Sequence, residues 1–441
     1  LAPPPASQAM QAIKVGILGF GTIGSGTARL LLEQRERISR RAGRGVELAR
    51  IVDKDLSRPR NVAVPRELLS DNVEALIRDP EIQIAVELIG GIEPARTLVA
   101  ALLENGKDVV TANKAVLAEH GPELFEIARR HGRSIAFEAA VAGGIPIIAA
   151  IGQSLAANEI SSIHAVVNGT SNFILTEMEE KGQEYAAAVA EAQRLGYAEA
   201  SPAMDVNGTD AAQKLAILAR LAFATQVSWH SIPRLGIEIV QAADMRYARE
   251  LGYSIKLLAV AERSEQGLQL HVSPTLVRRG TPLAEVRGAF NAVRVVGDAV
   301  GRVFFHGLGA GQMPTASAVV ADIIDTAVGR AAITFRGLRL WERDDHAPPL
   351  QEPDSIVSRN YLRFHVQDRP GVLAEIAGIL GKNQISIASV IQHEAETEDG
   401  GPVPLVIMTH EAREGAMQQA MAAIDRLAVV RPGSVRMRVR G

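Results

Sequence analysis

The sequence predicts an α/β protein in three parts, and three observations carry that prediction. A short apolar strand runs straight into a glycine turn and a helix, and strands then alternate with helices to about residue 146. From there the alternation stops and strands and helices mix irregularly, as in an α+β domain. Behind a charged, proline-rich stretch, the tail reads strand, helix, strand, strand, helix, strand, the order of a ferredoxin-like split unit. A chain of 441 residues is long enough for three domains of ordinary size.

Ile13–Leu18 (IKVGIL) is the first strand, and Gly19, Gly21, Thr22, Ile23 and Gly24 belong to the GxGxxG turn behind it. Between a strand and a helix, such glycines permit a tight turn and let the backbone approach a pyrophosphate at the helix N-terminus. That context marks a Rossmann-type dinucleotide fold. The helix is expected over residues 25–37, with Ala28, Leu31 and Leu32 inward. Val46–Val52 is the second strand and ends at Asp53. Asp53 could bond the ribose 2′-hydroxyl of NAD, whereas Lys54, Arg58 and Arg60 could neutralise the 2′-phosphate of NADP. Both cofactors stay open.

Residues 84–89 form a strand closing on Gly90 and Gly91, Pro94 opens a helix, and strand Asp108–Thr111 leads to Asn113 and Lys114. Ligands of open α/β sheets bind at such strand ends, so Lys114 is either a group for a reacting carbonyl or a solvated loop lysine. Residues 134–137 form another strand and run into Glu138, followed by Val141, Gly143 and Ile145. Backbone carbonyls beside one carboxylate suit a monovalent cation; a flexible passage to the next domain is the plainer reading.

In the middle third, residues 160–167 form a strand ending in Asn168, Gly169 and Thr170, with a helix through Met178 behind it. N–H groups and hydroxyls there could grip a carboxylate or simply cap the helix. Residues 196–218 pack Glu199, Asp205, Asp210 and Lys214 into one loop and one helix start, with Thr209 expected as N-cap. Leu215, Leu218 and Leu221 mark a buried stripe, and Asp210 and Lys214, four apart, share a helix face. The cluster would hold an ammonium group and offer a proton beside it; alone, it also fits an exposed ion pair. Strands are expected at 255–261 and 269–274, and at 292–296 and 302–306 around a Gly297-Asp298 hairpin. A glycine turn at 307–311 precedes a helix down to Val328 that could return to the dinucleotide.

In the tail, strands are expected at 361–366, 385–392, 404–409 and 434–439, and helices after Asp368 and over 416–427. Open edges of such a module seek a partner, so pairing between copies is expected. The formal net charge is −3 and no basic run interleaves with aromatics, which makes nucleic acid and anionic membranes poor partners. With no cysteine, thiolate metal sites, disulfides and thiol catalysis are excluded. The longest uncharged apolar run, 139–152, is too short and glycine-rich to span a bilayer. LAPPPASQAM has no apolar signal core and reads as a leader, so a cytoplasmic protein is expected.

Six ordered motifs, GFGTIG at 19–24, ELIGG at 87–91, TANK at 111–114, NGTSN at 168–172, GYAEASPAMDVNGTDAAQK at 196–214 and GAGQMPTASAVV at 309–320, together resemble the homoserine dehydrogenases that carry a C-terminal ACT domain. No kinase domain precedes them, so the resemblance is to the monofunctional form. It implies interconversion of L-homoserine and L-aspartate 4-semialdehyde with NAD(P), on the route to threonine, isoleucine and methionine. It implies Lys214 as proton donor, Lys114 as the second active-site lysine, and Glu199, Asp205, Asp210 and the Asn168-Gly169-Thr170 turn at the substrate. Gly196 and Gly311 would touch the cofactor, and Glu138, Val141, Gly143 and Ile145 would hold Na+ or K+. Asp368, Pro370, Gly371, Val372, Leu373, Asn383 and Ile385 would face an amino-acid effector such as L-threonine, if the module does more than dimerise. The expected domains are 11–146 for the dinucleotide, 147–341 for substrate and dimerisation, 342–360 as linker and 361–441 as the ACT module, in a homodimer or homotetramer. Ser201 stands where many relatives carry an acid, which predicts tuning rather than loss.

Relatives in fold that oxidise aldehydes through a cysteine thioester are excluded by the missing cysteine. A non-catalytic sensor for nucleotide and amino acid would share the architecture, but the lysine and carboxylate set speaks for an enzyme. Burial of Lys214 would favour release of its proton, while Asp205 and Asp210 would favour the charged form.

Overall fold

β1 (Ile13–Leu18) lies at the centre of a parallel sheet, with Val15 and Ile17 wholly buried, because a strand covered on both faces must be apolar throughout. The computed structural model describes residues 11–337, 347–393 and 402–440. The expected leader, and residues 338–346 at the end of the expected middle domain and the start of the linker, lie outside the described residues. Beside β1 stand β2 (Val46–Val52), β3 (Leu69–Ser70), β4 (Ile82–Glu87), β5 (Asp108–Thr111) and β6 (Ile135–Ala136), in the order β3-β2-β1-β4-β5-β6. That is the doubly wound order, with its switch point between β1 and β4, where the Gly19 turn and the end of β4 meet.

The dinucleotide helix differs from expectation. It starts at Thr22, capped by Gly21, and stops at Glu33; Gln34 leaves helical geometry and a second helix, Arg35–Ala42, buries Ile38 and Ala42 on a new bearing. The helix Gln312–Ala327 packs on the first one through Ala316, Val319 and Ile323. Gly26 allows this approach, since a Cβ there would stand 2.8 Å from Gln312 Cγ.

The described chain forms two compact units. One holds the residues up to Ile160, Gln213–Ser231 and those from Gly297 to 347; the other holds Ser161–Ala212, Ile232–Val296 and those from Pro348 on. The stretch expected as one middle domain is thus shared between them. In the second unit, β7 (Ile160–Val166), β8 (Tyr253–Ser264), β9 (Gly267–Arg278) and β10 (Phe290–Gly297) form a mixed sheet, while β11 (Gly301–Leu308) belongs to the first unit. β8 and β9 extend beyond the expected apolar runs: β8 adds the half-buried to exposed end at 262–264, which still pairs with β9, and β9 runs on past Pro274 through buried Thr275, Leu276 and Val277 to Arg278.

The tail continues this sheet with β12 (Val357–Val366), β13 (Ile387–Gln392), β14 (Val403–Thr409), the two-residue β15 (Ala412–Arg413) and β16 (Val430–Arg440). Its order, β16-β12-β14-β13, with helices Val372–Lys382 and Glu414–Ile424, is ferredoxin-like, and Leu362, Phe364, Ile376, Leu405, Ile407 and Met417 fill its core. Two features were not legible in the sequence. Leu268 donates its N–H to Pro349 and accepts from Gln351, so the described part of the expected linker is docked on β9, and β12 begins at Val357 rather than Tyr361. The module's β16 edge is also taken within the same chain, by parallel pairing with β9.

Lys256 on β8 is 1% exposed, and its Nζ donates to the Val286 carbonyl at 2.6 Å. Burial pulls its pKa from 10.5 down to about 8. Between those values the unfolded chain keeps a proton that the folded chain has released, so stability rises with pH across the window, by about 3 kcal/mol in all. Urea unfolding at a series of pH values should show this rise, and Lys256→Met should remove it. An equal rise in both proteins would refute the assignment.

Candidate active site

The end of β1 turns at Gly19, whose φ is +97° and whose missing Cβ leaves room for the Leu88 carbonyl. Gly21 and Thr22 are exposed at the helix start, so the first N–H groups of that helix face outward as an anion site requires. Ile23 packs against the core and Gly24 is buried beneath the turn. Asp53, at the end of β2, accepts the Phe20 N–H at 2.5 Å and the Asp55 N–H at 2.9 Å. Arg60 lies 3.7 Å from the same carboxylate, donates to the Phe20 carbonyl, and stacks its guanidinium 4.6 Å from the Phe20 ring centre. Asp53 therefore holds the glycine turn, while Lys54 and Arg58 are exposed beside it.

At the end of β4 sits a residue the sequence reasoning passed over. Glu87 is 0% exposed and accepts from the N–H groups of Ile89 and Gly90, from the Thr111 hydroxyl at 2.7 Å and from the Asn113 amide at 3.4 Å. Asn113 in turn donates to the Gly91 carbonyl and caps the helix Lys114–Arg130. One buried carboxylate thus gathers Gly90, Gly91, Asn113 and the start of the Lys114 helix. The signal was present, as an acid closing an apolar strand just before two glycines. Glu87→Ala leaves several buried donors unmet and should cost about 2–4 kcal/mol. A urea midpoint shift should show the loss, together with a raised KM for the dinucleotide; wild-type behaviour on both would discount Glu87.

In the second unit, Asn168 caps the helix Gly169–Lys181 with its side-chain oxygen. Its amide nitrogen donates to Asp205 at 2.7 Å and to Asp210 at 2.9 Å. Two carboxylates therefore converge on a single amide, with Asp210 buried and Asp205 half-buried. The Ser171 hydroxyl donates to the Asp205 carbonyl and the Thr170 hydroxyl to the Tyr197 carbonyl, which ties the 196–205 loop to the same helix start. Gly169 is half-buried there, and Gly196 and Glu199 are exposed on the loop. The helix Thr209–Phe223 begins one residue earlier than expected: Thr209 is its first residue, and the Asn207 side chain accepts the Thr209 N–H. Asp210 opens this helix and half-buried Lys214 follows one turn on. Lys114 is half-buried at the start of its own helix, and Gly311 precedes the helix Gln312–Ala327.

Glu138 is held at both ends. Its N–H donates to Asp322 at 2.8 Å, and its carboxylate accepts the N–H groups of Ile148 and Ala149, each at 2.8 Å. Burial pushes its pKa up to about 7, and burial beside Glu138 pushes Asp322 well above the carboxylate range. These carboxyls and Asp325 line a cavity of about 550 Å³. The loop bearing Val141, Gly143 and Ile145 kinks through left-handed Ala142, and the Ile145 carbonyl accepts from Ile147 N–H. No group of three or more acids or histidines forms a metal site among the described residues. A site made from these carbonyls and one carboxylate has only oxygen donors, a set that fits a hard cation.

In the tail module, Asp368, Pro370 and Gly371 are exposed, and Asp368 accepts from Gln392 at 3.4 Å. Leu373 is exposed, whereas Val372 and Ile385 are core residues, so only their backbones are presented. The Asn383 amide donates to the Ile379 carbonyl. No helix of the described residues is long and apolar enough to cross a membrane.

Comparison with known proteins agrees with this architecture. The profile described as homoserine dehydrogenase matches residues 146–324, its NAD-binding domain matches 19–138, and the ACT domain matches 360–428. A homoserine dehydrogenase of Pseudomonas aeruginosa is 45% identical over 98% of this chain and 99% of its own. One from Bacillus subtilis is 36% identical, with 98% and 99% covered. Among solved structures, a homoserine dehydrogenase from Thiobacillus denitrificans superposes with a TM-score of 0.89 at 43% identity, covering 98% of each chain. A hyperthermophilic archaeal homoserine dehydrogenase in complex with NADPH matches at TM-score 0.59 and 28% identity, over 71% of this chain and 97% of that one. With its doubly wound nucleotide fold, its mixed sheet and its C-terminal ACT module, the chain belongs to the homoserine dehydrogenase family and is an NAD(P)-dependent oxidoreductase.

Proposed function

We propose that the enzyme interconverts L-homoserine and L-aspartate 4-semialdehyde in the synthesis of threonine, isoleucine and methionine. The observation that carries this reading is the convergence of Asp205 and Asp210 on the Asn168 amide, one helical turn before Lys214. Two carboxylates at one point would hold the substrate ammonium, and Thr170 and Glu199 border the same loop. When bound, the nicotinamide supplies hydride in the reducing direction and accepts it in the other. Lys214 donates the proton that the carbonyl oxygen needs on reduction and takes it back on oxidation. Lys114 stabilises the developing charge on that oxygen, and preorganised charge of this kind is often the largest catalytic term.

The Gly19 to Gly24 turn would hold the pyrophosphate, and NADP is favoured over NAD. Asp53 already bonds Phe20 and Asp55, while exposed Lys54 and Arg58 are available for a 2′-phosphate; the archaeal relative was solved with NADPH. Glu138 with the carbonyls of Val141, Gly143 and Ile145 would hold sodium or potassium. Residues 11–146 serve the dinucleotide, the substrate residues and dimer contacts fall within 147–341 without making up a compact unit of their own, and the ACT module takes an amino-acid effector at 368–373 and 383–385.

Initial rates of homoserine oxidation with each dinucleotide test this. Turnover with a lower KM for NADP is expected. Equal or better use of NAD would overturn the cofactor preference, and no homoserine oxidation with either would overturn the reaction.

A further inference from the structure

Asp205 and Asp210 reach the Asn168 amide from unlike supports. Asp210 lies in the first turn of the helix Thr209–Phe223, whose 15 residues keep its backbone in place. Asp205 lies in a single turn of helix, Ala203–Val206, and Ser201, Ala203, Met204 and Asn207 around it are exposed. A helix this short does not hold itself in water, so bonds to other elements must place it.

Two such bonds come from one helix start. The Asn168 amide donates to the Asp205 carboxylate at 2.7 Å, and the Ser171 hydroxyl donates to the Asp205 backbone carbonyl at 2.9 Å. The Gly208 N–H gives the same carbonyl a longer bond, at 3.4 Å. Asn168 and Ser171 are themselves joined, since the Ser171 N–H donates to the Asn168 side-chain oxygen at 2.8 Å. Asp205 is thus gripped by side chain and by backbone within one closed ring of hydrogen bonds. Ser171 is fully buried, which is where an unmade bond costs most.

A further segment fixes this helix start. The buried Asn172 amide donates to the Gly288 carbonyl at 2.8 Å and to those of Val286 and Phe290 at 3.2 Å. The Gly288 N–H donates to the Thr176 hydroxyl at 3.0 Å, and Gly169 sits so near the Ala289 carbonyl that a Cβ would stand 2.8 Å from it. Ser171 therefore projects from a fixed post, and the short Ala203–Val206 turn is the part its hydroxyl locates.

We infer that Ser171 is a positioning residue for the ammonium end of the substrate: its hydroxyl sets Asp205 beside Asp210 and so governs how tightly an α-amino group is held, without touching it. The inference rests on the reading of that carboxylate pair as the ammonium site. Asp210 is carried by its own helix, so loss of the hydroxyl should weaken recognition of the amino group and not abolish it.

Inhibition of homoserine oxidation by L-2-aminobutyrate and by butyrate tests this, because the two differ only in the amino group. In Ser171→Ala, the inhibition constant of L-2-aminobutyrate and KM for homoserine should rise about three- to tenfold, the worth of one hydrogen bond. The butyrate constant and KM for NADP should stay as in wild type. Tyr361→Phe, which removes one hydroxyl bond at Asp244 instead, should move none of these values, and so separates positioning from a general loss of stability. Ser171→Cys keeps a side chain of similar size and a weak S–H donor. It should raise the L-2-aminobutyrate constant by less, and it carries the test if Ser171→Ala does not fold. Equal weakening of both inhibitors, or an L-2-aminobutyrate constant that neither variant changes, would refute the role of Ser171 alone. A wild type that binds the two inhibitors alike, or does not oxidise homoserine, would bring down the ammonium-site reading and this inference with it.

Discussion

Lys214→Ala is expected to lower turnover by about 10²- to 10⁴-fold, the usual range for losing a positioned acid or base, while dinucleotide binding stays nearly intact. Lys214 stands one turn behind Asp210, whose carboxylate meets that of Asp205 at the Asn168 amide, so in the proposed reaction a substrate ammonium at these carboxylates would have a proton donor on the same helix. The glycine turn lies on other elements, which is why cofactor affinity should be spared. Lys214→Arg separates two roles for the lysine. A guanidinium keeps the charge but does not release its proton near neutral pH, so the arginine variant should remain as slow as the alanine one if proton transfer is the task. Stopped-flow measurement of the chemical step, with fluorescence titration of NADPH, would decide. Turnover at the wild-type level in Lys214→Ala would remove the residue from the mechanism, and recovery in Lys214→Arg would reduce its part to electrostatics.

Asp244→Ala should be the most destabilising single change in the second unit. Asp244 and Arg363 both have 0% exposed side chains and form a two-pronged pair, with Arg363 Nε to Oδ1 at 2.6 Å and Nη2 to Oδ2 at 3.1 Å. The Tyr361 hydroxyl adds a bond to Oδ1 at 2.8 Å, and the Gln241 N–H, at the start of the helix Ala242–Glu250, adds one to Oδ2 at 2.9 Å. Removing the carboxylate strands a guanidinium in a dry interior, at a cost of about 3–5 kcal/mol. Removing both charges should cost less than removing one, so Asp244→Ala with Arg363→Met should be more stable than Asp244→Ala alone. Tyr361→Phe, which deletes one neutral donor, should cost about 1 kcal/mol. Urea midpoints at fixed m-value give these differences, and an Asp244→Ala protein within about 1 kcal/mol of wild type would contradict this account.

Much of the fold was legible because its signals are local. A strand, a glycine turn and a helix follow one another within a few residues at Ile13–Leu18 and beyond, and the strand and helix periods of the tail spell out the split unit before any contact is known. The boundaries were less legible. Apolar patterning marks the middle of a strand, so the exposed Arg263 and Ser264 end of β8 was missed, Pro274 hid the buried Thr275 to Val277 end of β9, and the glycine turn hid the Thr22 start of the dinucleotide helix. The docking of the linker was not legible for a related reason: its prolines and charges have no period, yet Leu268 exchanges backbone bonds with Pro349 and Gln351.

The sequence by itself determined the three-part α/β plan, the dinucleotide turn, the exclusion of thiol chemistry and the identity of the charged residues at 199–214. Tertiary structure alone decided which of those residues meet. Asn168 reaches Asp205 and Asp210 across 37 and 42 residues of chain, and Arg363 reaches Asp244 across 119. It also assigned Asp53 to the glycine turn and made Glu87 the point where two strand ends are joined. Periodicity and capping act over three or four residues, whereas these pairings are chosen by how sheets and helices pack, so the chain specifies them only through the folded whole.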